Sequence, residues 1–213
     1  MVTQSPTYPA RLEIDYPERL NRVTTFFRLL VALPIVLILT LLTSSGSDTV
    51  MSETGERIES GGGGIATALF LATALMIVVR ERYPRWWFDF VRELTRFGTR
   101  VGAYLALLSD RYPSTVDQQS VHLELDYPDV KQQLNRWLPL VKWLLAIPHY
   151  VVLAVLGIGA VLAIVVAWFA ILFTGRYPQA LFNYVVGVGR WALRVQAYAF
   201  LLLTDQYPPF SLR

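Results

Sequence analysis

Residues Trp143 to Gly175, WLLAIPHYVVLAVLGIGAVLAIVVAWFAILFTG, form an apolar run of 33 residues with one histidine and no formal charge. No other stretch of the chain constrains the fold as much. One helix through a bilayer needs about 20 apolar residues, so the run is too long for a single crossing. Extended upstream to Trp137 it has length for two, and Gly157-Ile158-Gly159 stands near its middle. The expectation is a hairpin of two membrane helices, 138–156 and 159–175, turning at the glycines.

Composition agrees with a membrane class. Charged residues make up 16% of the chain, against about 25% in a soluble domain. Cysteine is absent, which excludes disulfides, thiolate catalysis and cysteine-ligated metals. Two histidines, His122 and His149, are too few for a histidine-rich metal site. No metal or cofactor is expected. The net charge of +3 is read as loop orientation, and no basic tail points to nucleic acid.

Taken in order, the first residues are polar and proline-punctuated and do not read as a signal peptide. Residues 11–16 alternate like a short strand and stop at Pro17. A membrane helix is expected over 23–43, an outside loop rich in Gly, Ser and acidic residues over 44–64, and a second membrane helix over 65–79. Residues 85–109 then mix charge with apolar residues at helical spacing. Arg92, Arg96 and Arg100 form one stripe, with Trp86, Trp87, Phe88 and Phe90 nearby. That pattern describes an amphipathic helix lying in the membrane interface. The alternative is a third crossing helix entering at Phe97. A second alternating strand is expected over 121–127, then the hairpin, then another amphipathic helix over 179–204 with Arg190 and Arg194 at the same spacing.

The chain also matches itself. Leu12-Glu13-Ile14-Asp15-Tyr16-Pro17 corresponds to Leu123-Glu124-Leu125-Asp126-Tyr127-Pro128, and Leu20-Asn21-Arg22 to Leu134-Asn135-Arg136. In the latter register Arg28 falls on Lys142 and Pro34 on Pro148. Arg82-Tyr83-Pro84 corresponds to Arg176-Tyr177-Pro178, which sets Arg96 on Arg190 and Arg100 on Arg194. After a slip, Asp110 falls on Asp205. The offset drops from 114 (Leu20 to Leu134) to 94 (Arg82 to Arg176), nearly the length of the 44–64 loop. The reading is an all-α integral membrane protein of two tandem units, 1–113 and 114–213. Each unit has a strand, a transmembrane hairpin and an amphipathic helix. Two crossings per unit place every Arg-rich junction on one side, and the positive-inside rule makes that side, with both termini, cytoplasmic.

The segments Leu20–Pro34, Arg82–Pro113, Leu134–Tyr150 and Phe173–Pro178 resemble a bacterial membrane family known as domain of unknown function 4389. The resemblance implies a multi-helix bacterial membrane protein and brings no catalytic residues; the expected location is the inner or plasma membrane.

Candidate contacts with lipid or headgroups are Arg28, Lys142, Arg96, Arg100, Arg190, Arg194, Trp86 and Trp87. A charge at bilayer depth is a functional candidate, but near a helix end a long side chain can snorkel to the headgroups. For the four helix-stripe arginines the competing reading is pairing with Asp89, Glu93, Asp110, Asp205 or the strand carboxylates. His149 is the candidate intramembrane polar group. Glu13, Asp15, Glu124 and Asp126 fall on one face of their strands without a nucleophile or metal-ligand cluster beside them. The leading functional reading is therefore non-enzymatic, a lipid-interacting scaffold or accessory subunit whose partners are membrane lipids and other integral membrane proteins. One alternative is a small transporter or channel, for which Arg28, Lys142 and His149 would face a shared cavity. A further alternative is a lipid-modifying enzyme using the strand carboxylates.

Overall fold

A computed structural model of the chain describes residues 8–43, 47–51, 57–61, 65–115, 117 and 119–213. The fold is mostly helical. Strand β1 (Ala10–Ile14) leads to helix α1 (Arg22–Thr43), a hairpin of β2 (Ser47–Met51) and β3 (Arg57–Gly61), then α2 (Ile65–Arg80) and α3 (Arg85–Leu105). After β4 (Val121–Leu125) come the short α4 (Val130–Gln133) and α5 (Pro139–Leu145), then α6 (Ile147–Thr174) and α7 (Gln179–Ala199). Two stretches, Arg22–Thr40 and Ile147–Thr174, are long and apolar enough to cross a membrane; Thr67–Arg80 is apolar but shorter.

The elements stack in three layers. β1 and β4 pair antiparallel with Leu12 opposite Leu123. Their alternation buries Ala10, Leu12, Ile14, Val121, Leu123 and Leu125 on one face and leaves Glu13, His122, Glu124 and Asp126 exposed on the other. The apolar face packs on α3 and α7, which form the middle layer. The helices α1, α2, α5 and α6 close the far side, with α6 against α7 and α1 against α3 and α6.

The turn expected at Gly157–Gly159 is absent: α6 runs unbroken through both glycines for 28 residues, about 42 Å at 1.5 Å per residue. The expected helices 138–156 and 159–175 are thus one rod. Its interruption lies earlier, at Ala146, where Pro148 cannot donate to the carbonyl of Leu144 and crowds it, so that α5 ends and α6 restarts. Gly159 serves close approach instead of turning. A Cβ there would stand 2.5 Å from the hydroxyl oxygen of Tyr184, which donates to the carbonyl of Leu156 at 2.9 Å. Gly159→Leu is expected to displace Tyr184 and destabilise the α6–α7 contact by about 1–3 kcal/mol. Gly157→Leu, with nothing within 4 Å of its added Cβ, should leave thermal unfolding in mild detergent unchanged or slightly raised.

Two further boundaries differ from the sequence reading. The loop expected over 44–64 contains the β2–β3 hairpin, with Ser47 opposite Gly61; Gly62–Gly64 and the rest of that loop lie outside the described residues. The amphipathic helices expected to reach 109 and 204 stop at Leu105 and Ala199. Shortly after each, a leucine takes a left-handed backbone, Leu107 at φ 63° and Leu202 at φ 56°. That conformation costs a non-glycine residue about 1–2 kcal/mol. Both side chains are buried, 3% and 0% exposed, and burial worth about 1.5–3 kcal/mol offsets the strain. The chain then folds back, which carries Asp110 and Asp205 to the starts of α1 and α5.

Candidate functional site

Each of those aspartates closes a buried clasp. Arg28, 2% exposed, donates to the carbonyls of Tyr104 and Ser109, both at 2.8 Å, and pairs with Asp110; its guanidinium lies 4.6 Å from the centre of the Tyr104 ring. Lys142, fully buried, donates to the carbonyl of Thr204 at 2.8 Å and pairs with Asp205 at 2.6 Å, 5.3 Å from the centre of the Tyr198 ring. The other carboxylate oxygen accepts the backbone N–H of Asn21 in the first clasp (2.6 Å) and of Asn135 in the second (2.5 Å). The two asparagine side chains in turn cap the N–H groups of Val23 and Trp137. The headgroup contact expected of Arg28 and Lys142 is therefore not what these side chains do. Each cation has a carboxylate and one or two carbonyls as partners, and no water-exposed end is left to snorkel.

The arginines of the amphipathic helices are likewise turned inward. Arg96 pairs with Glu93 at 2.6 Å and reaches the carbonyl of Leu123 at 3.5 Å; Arg190 donates to the carbonyl of Leu12 at 2.9 Å. The α3 arginine thus touches β4 and the α7 arginine touches β1, at two residues that face each other across the strand pair. Arg100 and Arg194, both nearly buried, donate to the carbonyls of Ser114 and Ser211. Only Arg96 among the four finds one of the carboxylates foreseen for it. Of the two tryptophans, Trp86 stays 68% exposed, whereas the Trp87 indole donates to the hydroxyl of Thr73 at 2.8 Å.

His149 is fully buried in an aromatic cluster. Its Nδ1 accepts the Trp191 indole N–H at 3.1 Å, and its ring stacks on Phe210 at 4.0 Å. None of His149, Arg28 and Lys142 is among the residues that line the central cavity described below. The strand carboxylates are exposed. Arg11 bridges Glu124 at 3.0 Å and Asp126 at 2.8 Å, hydrogen bonds that raise its pKa, and Asp15 meets His122 at 3.1 Å. Nothing in this arrangement buries an acid beside a nucleophile.

The Tyr-Pro motifs are used reciprocally. The Tyr16 hydroxyl donates to the carbonyl of Tyr177 at 2.5 Å, and the Tyr127 hydroxyl to the carbonyl of Tyr83. Tyr83 and Tyr177 are themselves buried, and burial pushes the Tyr177 phenol up to about 12.

What residue patterns do not announce is a central cavity of about 720 Å³. Its floor is the buried face of β1 at Leu12 and Ile14. Its walls are α3, around Gly98 and Gly102, and α7, around Gly189 and Ala192, and α2 borders it at Phe70 and Thr73. Among the described residues, no charged side chain lines it. Among the described residues no cluster of His, Asp and Glu could hold a metal ion.

A layered, largely helical protein with two buried cationic clasps and two long apolar helices is the class these features define. Residues 137–211, which take in α5, α6 and α7, match the family model described as Domain of unknown function (DUF4389). That is the family the sequence resembles. No curated protein and no solved structure matches the chain.

Proposed function

We propose that the protein is a lipid-interacting membrane scaffold, built from two copies of one unit, whose apolar helices lie along the plane of the membrane and are immersed in one leaflet. The observation that carries this reading is exposure. Only 22% of the apolar stretch of α1 and 17% of that of α6 is buried, so neither is the core helix of a water-soluble protein. Phe26, Leu29, Leu30 and Leu33 on α1, with Val155, Ile158, Leu162 and Phe173 on α6, each stand 58% exposed or more. A contiguous apolar surface of this kind marks a membrane or partner contact.

The sheet supports the orientation. Leu12 of β1 packs at Gly189, midway along α7, and α7 lies alongside α6. If α6 crossed the bilayer upright, the ion pairs of Arg11, Glu124 and Asp126 would sit near its centre, where each charge costs about 2.5–3.5 kcal/mol. With the helices in plane, the charged face of the sheet stays in water. The exposed arginines at the ends of the apolar helices (Arg22, Arg80, Arg82, Arg136 and Arg176) then ring the immersed layer at headgroup level. There each adds about 1 kcal/mol of attraction to an anionic surface. Trp86 and Trp137, both exposed, suit the same depth.

The cysteine-free chain allows a direct test. Spin labels placed singly at Trp143, Ile158 and Phe173, all on the exposed side of α5 and α6, are expected to report similar immersion in vesicles, and one at Glu13 full contact with water. A profile shallow at Trp143, deepest at Ile158 and shallow again at Phe173 means that α6 crosses and rejects the in-plane arrangement. Water exposure at all three rejects membrane embedding itself.

A further inference from the structure

The central cavity has the properties of a site for one hydrocarbon chain, and we infer that it takes an acyl chain of a membrane lipid, drawn in from the leaflet that the apolar helices occupy. The inference rests on the in-plane reading for the direction of entry. At about 720 Å³ the space lies within the range of small-molecule sites, roughly 300–1,000 Å³.

The hydroxyls of three threonines in its walls are already committed, and Thr67 and Gln196 stand exposed at its rim. The hydroxyls of Thr95 and Thr99 donate to the carbonyls of Val91 and Thr95 four residues back, each at 2.8 Å. The Thr73 hydroxyl donates to the carbonyl of Leu69 at 2.7 Å and accepts the Trp87 indole. These groups have little left to offer a polar ligand or ordered water, which needs two to four polar partners. With no charged side chain among the described lining residues, the wall is fitted to the chain of a lipid and not to its headgroup.

Placement supplies the occupant. The floor at Leu12 and Ile14 is buried, whereas Gly102, Ala192, Gln196 and Phe200 are lining residues that remain exposed. The cavity therefore opens away from the sheet, toward the layer of apolar helices. On the α7 side that layer is closed, because α6 is one unbroken rod seated on α7 through Gly159 and Tyr184. On the α3 side the cover is shared by two helices that both line the cavity, α1 at Leu39 and α2 at Thr67, Phe70 and Thr73. In a leaflet, the molecule in front of a mouth lined by these helices is a lipid chain.

Filling the cavity separates this inference from the membrane reading. Gly98 and Gly102 line it, and an added Cβ at either meets nothing within 4 Å. The probe is a phosphatidylcholine carrying a diazirine on its acyl chain, mixed into phosphatidylcholine vesicles with the full chain. The expected result is photolabelling of α3 and α7 wall peptides that Gly98→Leu with Gly102→Leu reduces at least tenfold, with vesicle flotation and thermal stability unchanged. Ala192→Leu, filling from the opposite wall, should act alike if the glycine pair folds poorly. Labelling confined to α1 and α6, absent from the wild type, or unaffected in folded filled variants overturns the inference. The membrane reading survives any of these results so long as the protein floats with the vesicles.

Discussion

Lys142→Met is expected to lower the stability of the protein in mild detergent by about 3–5 kcal/mol, read as a fall in the midpoint of thermal unfolding. Methionine matches the length of the lysine stem, so packing changes little. What is lost is the partner of Asp205, whose side chain is 22% exposed and keeps only the N–H of Asn135 for company. Removing one member of a buried pair leaves the other uncompensated, and that desolvation accounts for most of the cost. Asp205→Asn made in the same chain should therefore restore a large part of the loss, since an amide needs no counter-charge. Arg28→Met with and without Asp110→Asn should repeat the result at the other end of the fold. A single substitution costing less than about 1 kcal/mol would show that the clasp is not what fixes the start of its helix.

Two aspartates on the outer side of α6, Ile158→Asp with Leu162→Asp, are expected to reduce partition into phospholipid vesicles at least a hundredfold. The two side chains are 66% and 63% exposed and stand one helical turn apart, so the fold itself should tolerate the change. In a bilayer each carboxylate costs about 2.5–3.5 kcal/mol on the insertion scale. Unchanged flotation of the doubly substituted protein would mean that this face meets something other than lipid, and the proposed embedding would fail.

Some of this was open to reading from residues alone, and the reasons differ by element. Strand alternation at Leu12–Ile14 and Leu123–Leu125 needs only one buried face, which a period of two records directly. The long apolar run announces itself in the same way. Gly157 and Gly159 read as a turn in the sequence because glycine answers two needs, a turn or a close neighbour. The neighbour, Tyr184, belongs to another helix and has no signature at the glycine. The arginines were ambiguous for a related reason. Their partners are mostly main-chain carbonyls, at Leu12, Leu123, Ser114 and Ser211, and every residue has a carbonyl. Asp110 and Asp205 were visible as matched positions, yet only the left-handed leucines before them bring them back to Arg28 and Lys142. The cavity has no signal in the sequence, because its walls come from β1, α2, α3 and α7, which lie far apart in the chain.

The crossing of the strands sets a timetable for synthesis. β1 is finished once Ile14 has emerged, but its partner begins at Val121, and Leu20 and Tyr16 wait for the carbonyls of Gly175 and Tyr177. At about 5–20 residues per second, a ribosome takes roughly 5–20 s to supply the strand and somewhat longer to supply the rest. Through that interval the nascent chain displays an unpaired strand edge beside a finished apolar helix, a combination that recruits other chains. Translation intermediates shorter than about 120 residues should accordingly be held by a chaperone or the insertion machinery, and released only when the second half arrives.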